Sequence, residues 1–99
     1  MRQMKKTFPL HVSGKADARV LDAIKHDVRK YVKRERTRSL PEGCDRWIFE
    51  CRVGSDPSAA QPLLLKNVSA AIDEIAKTGA DHIYIDVIGV PGDRSSQRP

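Results

Sequence analysis

Arg29, Lys30, Lys33, Arg34, Arg36 and Arg38 crowd six cations into ten residues. Lysine and arginine at that density can follow a phosphate backbone through charge-assisted contacts. From Lys25 to Arg38 seven Lys or Arg stand against two acids, Asp27 and Glu35, so this segment's net +5 equals the formal net charge of the whole 99-residue chain. The competing reading is a solvated helix face, because cations near a helix C-terminus also complement its dipole. No side chain here reads bases. An RNA-recognition domain would carry a Lys/Arg-Gly-aromatic motif on its third strand, and Pro62 to Lys66 offers only leucines. The chemistry expected is non-specific binding of nucleic acid, RNA favoured, through phosphates.

Other residues that could do chemistry are sparse. His11, His82 and Asp86 could approach a metal only across strands, since four residues along one strand already separate His82 from Asp86 by about 13 Å. Cys44 lies between Glu42 and Asp45, whose charges disfavour a thiolate. Cys51 alternates with Trp47 and Phe49 and reads as a small core residue. The chain has no C-x-x-C, H-E-x-x-H, G-x-S-x-G or G-x-x-x-x-G-K-[ST]. No enzyme activity, metal or cofactor is therefore expected.

The elements that must position these residues follow from periodicity. Val20, Leu21, Ile24, Val28, Tyr31 and Val32 make one apolar stripe on a helix from Asp17, which is available as its N-cap. Glu35 would fall on that stripe, so the helix is expected to fray or end near Arg34. Thr7 to Val12 alternates as a half-buried strand, with Pro9 an awkward member. A second strand has Trp47, Phe49, Cys51 and Val53 inward. Val68, Ala71, Ile72 and Ile75 mark a second helix, which Asn67 or Ser69 could cap and Gly79 would stop. His82 to Val90 closes the fold, with Ile83, Ile85 and Val87 inward. Leu63 to Lys66 is either a short strand or the entry to the second helix.

Read as a strand, that stretch gives an α+β, ferredoxin-like β-α-β-β-α-β two-layer sandwich, the favoured architecture; otherwise a three-stranded β-α-β-α-β sheet remains. In the favoured form the first strand is central, which Pro9 opposes. One sheet face stays open, gathering Ile48, Arg52, His82, Tyr84 and Asp86 with His11. Tyr84 and Ile48 there could meet a protein partner or a second copy of the chain, the alternative function. Residues 6–91 are expected to form one domain, between a flexible N-terminus at 1–5 and a disordered tail at 92–99. The absence of an apolar run of about 18 residues argues against a membrane span, and a cytoplasmic location is expected.

The opening Lys5-Lys6-Thr7-Phe8-Pro9-Leu10, the pair Lys30-Tyr31, the run Lys33-Arg34-Glu35-Arg36, and Leu40-Pro41-Glu42-Gly43 followed by Asp45, Trp47 and Phe49 together resemble a family of short bacterial proteins of unknown function. The resemblance covers Lys5 to about Gly92 and implies a bacterial cytosolic protein. It transfers no catalytic or binding residue.

Overall fold

A computed structural model describes residues 3–92. In chain order it contains β1 (Gln3–Pro9), α1 (Asp17–Arg36), β2 (Arg46–Gly54), β3 (Gln61–Leu63), α2 (Val68–Lys77) and β4 (His82–Gly92), with single 3-10 turns at Pro57–Ala59 and Leu65–Asn67. The four strands form one antiparallel sheet in the order β1-β4-β2-β3. β1 and β2 therefore run parallel with β4 between them, and β3 and β4 run parallel with β2 between them. Both β-α-β crossovers are split by an inserted strand.

The β-α-β-β-α-β order is the expected one, but β1 lies at an edge instead of the centre. That position suits Pro9, which has no N–H to give an inner ladder and sits opposite His82 at the end of the pairing. β1 also starts earlier than its hydrophobic alternation suggests. Gln3 to Lys5, expected in a flexible N-terminus, pair with Ile88, Val87 and Asp86. The cause is the length of β4, whose 11 residues provide a ladder beyond Phe8. At the other end Leu10 leaves the strand, yet it stays buried and its N–H donates to the Asp81 carbonyl at 2.8 Å. The opposite edge, β3, has three residues including Pro62. Lys5 and Lys6 on one edge and Pro62 on the other make both poor templates for strand addition.

The stretch Leu63 to Lys66 divides between the two readings. Leu63 ends β3 opposite Cys51, and Leu65 opens the 3-10 turn that leads into α2. Leu64, at the junction, is exposed. Neither Asn67 nor Ser69 makes a side-chain cap on α2, whereas Gly79 does stop it, with φ of 82°. Gly92, expected in the tail, pairs with Arg46; the rest of that segment, 93–99, lies outside the described residues.

The core forms between the helices and one sheet face. Val20, Ile24, Val28, Tyr31 and Val32 of α1 and Val68 and Ile72 of α2 meet Phe8, Cys51, Val53, Ile83, Ile85 and Val87. Ile72, Ile83, Ile85 and Val87 have no exposed surface at all. Lys25 Nζ reaches Asp73 Oδ1 at 2.7 Å and ties α1 to α2 across the top of this layer.

Cys51 belongs to that core. Burial first, and the nearby charge of Asp86 second, push its thiol up to about 11 from an ordinary value near 9. The unfolded chain releases this proton from pH 9 upward while the folded chain keeps it to about pH 11. The resulting stability, about 3 kcal/mol, is fully present below pH 9 and is lost as pH rises through 11. Urea unfolding of wild type and Cys51→Ala at pH 8 and pH 11 checks this. The advantage of wild type over the variant should shrink at the higher pH, and a constant difference would rule the effect out.

Candidate anion-binding face

α1 does not fray at Arg34. It continues to Arg36, because Glu35 is buried at 2% exposure and is held there. Arg38, just past the helix, donates from Nη1 to Glu35 Oε1 at 2.7 Å, and Arg34 Nε lies 3.9 Å from Oε2. That second oxygen accepts no hydrogen bond among the described residues. The helix starts without a side-chain cap: Ala16 occupies the N-cap position, and Asp17 in the first turn meets His11 Nδ1 at 3.1 Å.

Three of the six cations at this end are drawn onto rings. The guanidinium of Arg34 sits 5.9 Å from the Tyr31 ring centre, that of Arg36 5.5 Å from Phe49, and that of Arg38 5.5 Å from Trp47. Each contact shields one face of the cation and limits its rotamers. Trp47 also donates from its indole nitrogen to the Arg38 carbonyl at 3.1 Å, which fixes the chain where it leaves the helix. Arg38 is thus held by Glu35 and Trp47, while its side chain stays 39% exposed. Arg29, Lys30 and Lys33 are exposed and make no ion pair among the described residues.

These cations stand on two sides of α1. Arg29, Lys33 and Arg36, spaced four and three residues apart, share the flank facing α2, together with Lys25. Lys30 and Arg34, four apart, form a separate row around the helix. Between α1 and α2 the first row borders an open groove of about 570 Å³, lined by Val28, Val32, Leu65, Val68 and Ile72 among others.

The open sheet face holds a different arrangement. Asp86, at its centre, is flanked by Lys5 of β1 and Arg52 of β2. Gln3 Nε2 donates to its Oδ1 at 2.7 Å and the Tyr84 hydroxyl donates to its Oδ2 at 3.1 Å. Arg52 also donates to the Ala60 carbonyl at 3.3 Å. Tyr84 is only 6% exposed, so it is no free platform for stacking or docking. Burial raises its hydroxyl above the ordinary value, and the bond to Asp86 adds to the shift. His82 lies at the far end of β4, and His11 is beyond the sheet with Asp17. The structure does not gather His11, His82 and Asp86. Among the described residues no group of three His, Cys, Asp or Glu side chains could hold a metal ion. No described helix is long and apolar enough to cross a membrane.

The family model for a family of unknown function, DUF6172, matches residues 4–98. The chain belongs to that family. No curated protein and no solved structure matches it. Membership in DUF6172 brings no assigned activity, and the chemistry of this DUF6172 chain has to be read from its own side chains. The ring-held arginines were beyond reach of sequence reasoning, although Trp47 and Phe49 following a basic run on the next strand hold the signal.

Proposed function

We propose that the protein binds nucleic acid without sequence preference, RNA first, through phosphate contacts from the exposed cations of α1, in a bacterial cytoplasm. The observation that carries this reading is the set Arg29, Lys30 and Lys33, exposed along one rigid 20-residue helix with no carboxylate partner among the described residues. Arg34 and Arg36, oriented by Tyr31 and Phe49, extend the same field toward the helix end. Arg38, shared with Glu35 and Trp47 but exposed, adds its charge just past the helix. The reading includes no catalytic step and no cofactor. The two split β-α-β units relate the fold to the ferredoxin-like class, with β4 and β2 in the inner positions.

Fluorescence anisotropy with labelled single-stranded RNA and duplex DNA across a salt series tests it. Three to five phosphate contacts predict a logarithmic salt slope of roughly −2 to −4 for single strands. Lys30→Glu/Lys33→Glu/Arg34→Glu should weaken binding at least tenfold and flatten the slope. No binding by wild type at 50 mM salt, or an unchanged variant, would defeat the proposal.

A second reading has its own observation. Ile48, Ile88 and Val90 lie together, half-buried, on the face no helix covers, with Ile48 directly opposite Val90. A second copy meeting this patch would place it at the dimer centre in place of Tyr84.

A further inference from the structure

The groove between α1 and α2 is not accounted for by phosphate contacts alone. Its floor is aliphatic throughout: Val28, Val32, Val68 and Ile72 are each 5% exposed or less, and Leu65 lines the groove with them. Its rim is asymmetric. On the α1 side stand Lys25, Arg29, Lys33 and Arg36; on the α2 side stands Ser69, with no charge of its own. Lys25 is neutralised by Asp73, which leaves Arg29, Lys33 and Arg36 to supply the positive potential.

We infer that this groove binds a single-chain anionic amphiphile, with its alkyl chain along the aliphatic floor and its headgroup against Arg29, Lys33 and Arg36. The volume, about 570 Å³, is in the ordinary range for small-molecule sites. The occupant's shape follows from the floor. Side chains already packed to 5% exposure or less leave only a small strip of apolar surface, too little for the broad apolar face that a docked amphipathic helix buries. A nucleobase would find no ring to stack on, because no aromatic residue lines the groove. An alkyl chain needs neither width nor a ring. Charge selects the anionic headgroup, since one rim carries three cations and the other carries none.

The inference stands apart from nucleic-acid binding, although Arg29 and Lys33 serve both. Ser69 separates them, because it lines the groove, is exposed and lies on α2, away from Lys30 and Arg34. Calorimetric titration with laurate, dodecanol and inorganic phosphate, all below micellar concentration, is the test. Laurate should bind, dodecanol at least tenfold more weakly, and phosphate not at all within the same range. Ser69→Trp should weaken laurate at least tenfold and leave RNA affinity unchanged. Arg29→Gln/Lys33→Gln should weaken laurate while keeping the residual affinity for dodecanol. Equal binding of laurate and dodecanol, or unaltered laurate binding by Ser69→Trp, would overturn the site, as would no laurate binding by wild type. Failure of RNA binding with laurate binding intact would remove the previous proposal and leave this one.

Discussion

Truncating Arg38 to alanine should cost about 3 kcal/mol of folding stability, because the Glu35 carboxylate would stay buried with neither oxygen hydrogen-bonded. Oε2 already lacks a hydrogen-bond partner among the described residues, and the 2.7 Å bond from Arg38 is what Oε1 has. The same change removes the guanidinium from over Trp47, while the indole bond to the backbone carbonyl of residue 38 is kept. A buried ion pair often breaks even against an apolar replacement, so Glu35→Met should lie within about 1 kcal/mol of wild type. Urea unfolding of both variants decides the matter. If Arg38→Ala is as stable as wild type, the pair holds nothing. This result also bears on function: RNA binding by an Arg38 variant has to be compared at equal folded fraction, whereas loss at exposed Lys30 or Lys33 would report contact directly.

Gly54→Ala should be equally damaging for a steric reason. A Cβ at Gly54 would lie 2.6 Å from both the Cα and the N of Ala60 and 2.7 Å from the carbonyl carbon of Ala59. All three are backbone atoms and cannot rotate away. Ala60 is itself buried, its carbonyl accepts from Arg52, and the next residue, Gln61, pairs with Val53. Relief would have to move the whole return from β2 to β3, and overpacking of this kind costs about 3 kcal/mol. A thermal midpoint within a degree or two of wild type would show that this return separates from β2 at little cost.

The sequence made some of these features readable and hid others for specific reasons. The stripe from Val20 to Val32 identified α1, and the alternation of β2 and β4 assigned the inner and outer faces correctly. Glu35 misled because an acid on an apolar stripe looks like a helix end unless its partner is known. That partner, Arg38, lies past the helix, and its role depends on where Trp47 returns. The start of β1 was illegible because Gln3 to Lys5 have no apolar alternation and become strand only by pairing with β4. Among the candidate site residues, the cations were evident from composition, but their division between ring-held, groove-facing and exposed depends on three aromatic side chains and a second helix. Tyr84 looked available because it points outward; it is buried and its hydroxyl is bonded to Asp86.

The strand order also has a consequence for how the chain is made. β1 pairs with β4 alone, Gln3 opposite Ile88 and Pro9 opposite His82. On a ribosome β1 emerges well before β4 and is thus without its neighbour until almost the whole described chain has been translated. Its closure spans more than seventy residues, a slow step by comparison with forming α1 or the β2–β3 hairpin. During that wait β1 is an unpaired strand on a nascent chain, the stage at which such segments capture one another. Lys5, Lys6 and Pro9 on so early a strand thus protect the polypeptide before the fold exists, as well as the finished edge afterwards.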